Sequence, residues 1–184
     1  MSGSDFSVSA KVTLPYSIFS DTNWKKLDNE RQGLEEIGPT DPEFVNATER
    51  IAEIDQQKFK WLEYYKIKFK GTWYTQLVGK MVLRPSAEFG FLGAYNQDRG
   101  VPPFERFFLG GDGLGSYSLD GREVIALRGY PNQSLSGQDG STIYNKFSIE
   151  LRYPISLKPS ASIFALSFLE SGDGFDSFRE FNPF

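Results

Sequence analysis

Residues 103–130 read PFERFFLGGDGLGSYSLDGREVIALRGY, and the chain is organised around this stretch. Glycines crowd its middle, while aromatic and charged residues crowd its two ends. The stretch lies in a long connection between two strand-like segments, and such connections are usually either functional or disordered. A disordered connection would not place so many apolar residues in water. We therefore expect it to fold against a sheet through Phe104, Phe107, Phe108, Leu109, Val124, Ile125 and Leu127.

The segments that flank this connection alternate between apolar and polar residues, as half-buried β-strands do. A short linker at 76–80 separates the second segment from the third, and Pro154–Pro159 predicts another tight turn before the last segment. The last segment by itself leaves open which of its faces points outward. The alternating segments cover residues 6–14, 64–73, 81–91, 143–153 and 160–170.

The amino-acid composition changes between residues 21 and 60, which are rich in charge and poor in strand-forming residues. Asp41 followed by Pro42 resembles a helix start, with an aspartate N-cap and proline at the first helical position. Apolar residues then recur at helical spacing, which predicts a helix from about Pro42 to Lys60. Two interpretations remain open for this helix, a solvated element packed on its own loop or a surface that binds a partner.

Composition excludes several classes of function. The 184 residues carry a formal charge of −4, which provides no basic face for nucleic acid. The sequence contains no cysteine and no histidine, so disulfides, thiolate chemistry and the commonest metal ligand are absent from it. The carboxylates of the loop do not follow the spacing of a calcium-binding EF-hand. We expect no metal site and no cofactor.

The connections alternate in length along the chain, with long loops at one end of the strands and tight turns at the other. Transmembrane β-barrels of bacteria have this asymmetry, with long loops outside the cell and short turns in the periplasm. Aromatic residues make up 16 % of the sequence, which suits a β-rich protein, and several of them fall near strand ends, where the aromatic girdles of a membrane barrel lie. The pattern predicts an all-β fold, an antiparallel up-and-down meander of about five strands.

Three segments of the sequence resemble the BamA family of outer-membrane assembly factors, also called the bacterial surface antigen family. These are PFERFFLGG at 103–111, LRGY at 127–130, and the paired strand sequences YNKFSIELRYP and ASIFALSFLESGD that follow. Their order and spacing also match the C-terminal barrel of that family. In its general character the sequence resembles the family's members from Bacteroidetes. The family inserts β-barrel proteins into the bacterial outer membrane.

The resemblance implies a structural role for the loop, here residues 99–141. It implies that the loop folds into the barrel lumen and that Arg128 bridges to acidic residues of the inner wall, which correspond to Glu150 and Glu170. The planar guanidinium can hold two carboxylates at once and keeps its charge. Gly129 would allow a left-handed backbone turn beside this contact. The remaining motif residues that carry over are Pro103, Phe104, Phe107, Gly110, Gly111 and Tyr130.

The resemblance also implies an extent, a location and partners. A barrel of this family closes with roughly sixteen strands, so the chain is expected to be an internal segment of a barrel domain. The helical region at 21–60 is then an insertion in an extracellular loop. The implied partners are unfolded outer-membrane β-barrel clients, assembly-complex lipoproteins and the lipid bilayer, and the implied location is the outer membrane.

Two other interpretations of the sequence remain. The chain could be a soluble, secreted β-sandwich that binds a partner through its helical insertion. Alternatively, Glu150 and Glu170 could form the carboxylate pair of a glycoside hydrolase, because such enzymes place two carboxylates around the scissile bond. Neither alternative explains why long and short connections alternate, and we expect no enzymatic activity.

Overall fold

The computed structural model describes residues 2–20, 22–113, 122–158 and 161–180. In chain order, the elements are β1 (Gly3–Val12), α1 (Trp24–Glu35), α2 (Phe44–Phe59), β2 (Tyr65–Gln76), β3 (Val82–Gly93), β4 (Phe107–Leu109), β5 (Glu123–Ile125), β6 (Ile143–Lys158) and β7 (Ala161–Phe175). Short 3-10 turns cover Tyr16–Phe19 and Pro103–Glu105.

In these ranges the main element is a five-stranded sheet with the order β1-β2-β3-β6-β7, which confirms the predicted meander. It does not close on itself within the described residues, so β1 and β7 form its two edges. The long loop between β3 and β6 contributes the small parallel pair of β4 and β5. The fold therefore fits a segment of a barrel wall with a structured loop.

One face of the sheet, called the polar face below, carries the charged side chains. Arg84 pairs across the strands with Glu150, and Ser148 pairs with Glu170, so these residues point to the same side. Because Glu170 is on this side, Ile163 and Leu169 of β7 lie on the opposite face, which settles the question that the last strand left open. Large apolar side chains are exposed on that opposite face, among them Val8, Ile67, Trp73, Ile149 and Leu169.

The predicted turn at Pro154–Pro159 is wrong. β6 continues through Pro154 to Lys158, and the register with β7 shifts between Pro154 and Ser156. A bulge accommodates proline because the ladder already lacks a regular hydrogen bond there. Residues 159 and 160, which connect β6 to β7, lie outside the described residues.

The predicted end of the last strand near Glu170 is also too early. β7 runs on to Phe175, which pairs with Ile143 at the start of β6. The sequence SGDGF at 171–175 has the composition of a loop, but each of its residues lies opposite a residue of β6 in the strand register.

The described chain divides into two compact units. The first comprises Met1–Lys11, Lys66–Leu92 and Pro103–Phe184, and it contains most of the sheet and the loop. The second comprises Val12–Tyr65 and Gly93–Pro102, and it contains α1 and α2. Within the described residues, neither helix has the length and apolar character needed to cross a membrane.

In the second unit, α2 confirms the predicted helix, but the predicted start is wrong by two residues. The helix begins at Phe44 with Glu43 as its N-cap, while the Asp41 carboxylate accepts a hydrogen bond from the Glu43 amide, 2.9 Å away. Sequence analysis missed α1 because this helix lacks a strong apolar stripe. In agreement with this, none of its residues is buried. Ion pairs join α1 to α2, including Arg31 with Asp55 and Lys58 with Asp28.

Candidate functional site

The loop between β3 and β6 has a small apolar core of its own. β4 and β5 lie side by side, and Leu127 donates its amide to the Gly111 carbonyl at 2.8 Å. The ring of Phe107 packs edge-on against Tyr144 of β6, with centroids 4.6 Å apart. Burial of these side chains attaches the loop to the polar face. The buried members of this core are Phe107, Phe108, Leu109, Ile125, Leu127 and Tyr144.

Arg128 leaves this core and meets the carboxylates of Glu150 and Glu170. Its Nη2 donates to Glu150 Oε1 at 2.7 Å and also to Glu170 Oε1. Its Nε donates to Glu170 Oε1 at 3.0 Å, and its backbone amide donates to Glu170 Oε2 at 2.7 Å. One residue thus binds both strands through side-chain and main-chain donors, which are charge-assisted and directional.

Other cations also surround these carboxylates. Arg84 Nη1 lies 3.0 Å from Glu150 Oε2, and Arg152 Nε donates to the same oxygen at 2.9 Å. The carboxylates are almost fully buried, with side-chain exposures of 5 % for Glu150 and 3 % for Glu170. A buried carboxylate is costly unless it is paired, and these arginines provide the pairing. We call Arg84, Arg128, Glu150, Arg152 and Glu170 the arginine cluster.

The backbone next to Arg128 makes the left-handed turn that was predicted at Gly129. Gly129 has φ 95°, a left-handed conformation that glycine adopts without strain, so this prediction is confirmed. The guanidinium also lies 3.8 Å from the centroid of the Phe168 ring, within cation–π range. Phe168 pairs with Glu150 across the strands, so its ring is placed under the arginine by the register of the sheet.

A second charged contact attaches the other part of the loop, and sequence analysis missed it. Lys66 of β2 is buried, and its Nζ lies 2.6 Å from Glu123 Oε2 and 3.1 Å from Glu105 Oε2. Lys68 lies 2.6 Å from Glu123 Oε1, and Lys11 of β1 lies 3.1 Å from Glu105 Oε1. We call Lys11, Lys66, Lys68, Glu105 and Glu123 the lysine cluster.

The electrostatics of Glu123 follow from these neighbours. Burial alone would raise the pKa of its carboxyl group, but hydrogen bonds from Lys66 and Lys68 outweigh burial and lower that pKa below its ordinary value. Glu123 is therefore ionised at neutral pH and binds both lysines. The alternating Lys66, Lys68 and Lys70 were visible as a row in the sequence, but nothing there indicated which acids they would meet.

The remaining predicted motif residues have different environments. Pro103 and Phe104 lie in a 3-10 turn, and Phe104 and Val124 are each 41 % exposed, contrary to the expected burial of both. Gly110 and Gly111 have positive φ values of 118° and 90°, and a Cβ at either position would collide with residues 131–132. Tyr130 is exposed, and its carbonyl accepts a hydrogen bond from the Gly111 amide at 3.0 Å.

Glycines of the sheet make room for the loop. A Cβ at Gly90 would overlap the Tyr144 ring, and a Cβ at Gly172 would lie 2.5 Å from the Asn145 carbonyl and 3.0 Å from Leu127. Both glycines are on the polar face, where the loop packs. Small residues at such positions allow close approach of another backbone.

An up-and-down sheet with an apolar outer face, a charged inner face and a structured loop against the inner face defines a wall segment of a transmembrane β-barrel. Comparison with known families makes this class specific. The Omp85 superfamily domain matches residues 39–177, and the chain belongs to that superfamily. Membership places the chain in the bacterial outer membrane.

A curated relative supports the same assignment. Over 101 residues, the chain is 30 % identical to the outer membrane protein assembly factor BamA of Neisseria meningitidis serogroup B. The match covers 55 % of this chain and 11 % of that protein. The resemblance to the BamA family is thus confirmed, while the likeness to Bacteroidetes members stays a prediction.

Proposed function

We propose that this chain is part of a factor that folds and inserts β-barrel proteins into the bacterial outer membrane. The observation that carries the proposal is the Omp85 superfamily domain, whose matched region, residues 39–177, contains the loop, the arginine cluster and all of the lysine cluster except Lys11. The relative from Neisseria is itself called an outer membrane protein assembly factor. The partners would be unfolded β-barrel clients, assembly-complex lipoproteins and the lipid bilayer.

In this function, the arginine cluster would act as a latch that keeps the loop in the barrel lumen. Arg128 binds Glu150 and Glu170, which lie on neighbouring strands, so the contact also ties β6 to β7. A lysine at position 128 would carry the charge but could not present the same planar set of donors. The latch is therefore structural, and its chemistry is ion pairing.

The chemistry of the carboxylates favours this role over hydrolysis. A glycoside hydrolase keeps one carboxylic acid protonated as the acid catalyst. Glu150 and Glu170 instead face guanidinium groups at hydrogen-bond distance, which favours the ionised form of both. A soluble sandwich is overturned by the superfamily match and the outer-membrane location. In lipid, the free edges of β1 and β7 require hydrogen-bond partners.

Client folding in liposomes tests the proposal. The intact protein would be reconstituted, and the rate at which an unfolded outer-membrane β-barrel protein becomes heat-modifiable would be compared with that in empty liposomes. We expect acceleration by the intact protein, and equal rates would contradict an assembly function.

The latch is tested separately with Arg128→Ala in the same liposomes. We expect a slower client reaction together with a loop that becomes sensitive to protease. If client folding is accelerated as before and the loop stays protected, assembly function stands and the latch role is wrong.

A further inference from the structure

An exposed apolar surface in the second unit has no role in the proposal above. It consists of Leu14, Ile18, Phe19 and Trp61, and we call it the apolar collar. Ile18 is 74 % exposed, Phe19 is 87 % exposed and Trp61 is 57 % exposed. Side chains of this size are normally buried, so a group of them in water indicates an interaction surface.

The backbone that carries the collar is held firmly. Tyr16–Phe19 form a 3-10 turn, and the Glu63 carboxylate accepts hydrogen bonds from the Ser17 amide at 2.9 Å and the Ser17 hydroxyl at 2.6 Å. The rings of Tyr16 and Trp61 are 5.3 Å apart. These contacts keep the turn next to Trp61, and they leave Ile18 and Phe19 pointing away from the unit.

Arg99 holds the other side of the same segment. It donates from Nε to the Lys58 carbonyl at 2.7 Å, from Nη1 to Glu63 at 3.0 Å and from Nη2 to the Trp61 carbonyl. The Arg99–Glu63 pair is almost completely buried. Because this buried ion pair fixes the backbone around residues 58–63, the exposure of Trp61 is a property of the folded unit.

Along the chain, the collar follows directly on β1. Val8 and Val12 belong to the exposed apolar row of β1, and Leu14 continues that row in the same alternation. Thr13 still pairs with Tyr64, since its amide donates to the Tyr64 carbonyl at 3.1 Å. The collar thus begins with Leu14, two residues after the end of β1 at Val12.

Chain length limits how far the collar can lie from the bilayer. Ile18 follows Val12 by six residues, which span at most about 20 Å when fully extended, and the 3-10 turn shortens this reach. The segment 13–20 reads TLPYSIFS and carries no charge. Tryptophan is enriched at membrane interfaces, where its ring is apolar and its N–H group reaches water.

We propose that the apolar collar inserts into the lipid interface at the long-loop end of the barrel and anchors this unit to the membrane surface. Its contacts are lipid acyl chains near the headgroups of the membrane in which the strands reside. The inference rests on the outer-membrane location and is independent of the assembly function.

Spin labels can measure what covers the collar. The 184-residue sequence has no cysteine, so Phe19→Cys introduces the single thiol of this chain for a nitroxide label. Val8→Cys on the lipid-facing row provides the lipid control, and Gln57→Cys on the exposed side of α2 provides the water control. The intact protein would be reconstituted in liposomes, and collision rates with oxygen and with an aqueous nickel chelate would be measured.

We expect the label at position 19 to behave like the label at position 8, with oxygen collisions exceeding chelate collisions, and the ratio to reverse at position 57. A label at 19 that resembles the one at 57 would show that the collar faces water and would overturn the proposal. A label shielded from both reagents would show a protein partner or a second copy, which also overturns it. Ile18→Cys repeats the test if Phe19→Cys does not fold.

Discussion

The two charged clusters attach the same loop to the same face of the sheet, but their polarities are opposite. In the arginine cluster the loop provides the cation, Arg128, and the strands provide the carboxylates. In the lysine cluster the loop provides Glu105 and Glu123, and the strands provide the cations. A loop that shifted or turned end for end would bring like charges together, so the pair of clusters selects one docked position.

The clusters also differ in how their charges are shared. Arg128 is the one member of the arginine cluster that the loop provides, and it meets both carboxylates. Its loss would remove the contact between this cluster and the loop, although Arg84 and Arg152 would still pair with Glu150. In the lysine cluster the contacts are shared, since Glu123 also meets Lys68 and Glu105 also meets Lys11. We therefore expect the arginine cluster to depend on a single residue and the lysine cluster to tolerate losses.

The largest expected effect is that of Arg128→Ala. Glu150 would keep Arg84 and Arg152, but the nearly buried Glu170 would keep only Lys146, 3.9 Å away, among the ion pairs of the described residues. Poorly compensated buried charge costs about 3 kcal/mol in docking free energy, at the lower end of the range because Arg128 is partly solvated. Hydrogen exchange of residues 123–130 in the intact protein should then accelerate on the order of a hundredfold. The exposed Arg179→Ala is the matched control and should change nothing. Unaltered exchange in Arg128→Ala would remove the distinction between the clusters.

Lys66→Ala should have a smaller effect, about 2 kcal/mol, because Lys68 and Lys11 still pair with the loop carboxylates. The same exchange measurement, followed at residues 105–109 and 123–125, reports it. Lys70→Ala is the control in the same row, since Lys70 is half exposed and lies 3.6 Å from Glu88, and it should cost less than about 1 kcal/mol. Equal losses in Lys66→Ala and Arg128→Ala would contradict the difference in sharing.

Gly172→Ala tests whether close approach of the backbone matters at the arginine cluster. The added methyl group would press on the Asn145 carbonyl and on Leu127, the residue before Arg128, at a cost of about 1 kcal/mol from overpacking. Thermal unfolding in bilayers, combined with protease digestion of the loop, measures the change. Gly137→Ala has open space around its Cβ and should leave both readouts unchanged.

The smallest effect is the acid response of the lysine cluster. Glu123 lies in the loop, outside the spanning strands, and its pKa is lower in the folded protein than the ordinary 4.5. Its contribution to docking is therefore complete above that value and is lost as the pH falls through the lowered pKa. Hydrogen exchange at Glu123–Ile125, corrected for the chemical rate at each pH, should show this loss. In Glu123→Gln the corresponding step should disappear, and a step of the same size there would assign it to another group.

The strands and the loop were predictable to different degrees. Alternation of apolar and polar residues predicted β1, β2, β3, β6 and β7. Successive residues of a strand point to opposite faces of the sheet, so one apolar and one charged face give the sequence a period of two. It failed at Pro154, where a bulge carries the strand past the proline, and at SGDGF, where pairing overrides loop-like composition. The helix α1 was missed because ion pairs to α2 stabilise it more than an apolar stripe does.

The sequence by itself determined the meander, the family resemblance and the residues that could form ion pairs, since these depend on periodicity, motif order and chemical type. The tertiary structure decided which charges meet. Arg128 and Glu150 are 22 residues apart, and Lys66 and Glu123 are 57 apart, and only the strand register and the path of the loop bring each pair within hydrogen-bond distance. Long-range pairing depends on backbone geometry, which local sequence does not encode.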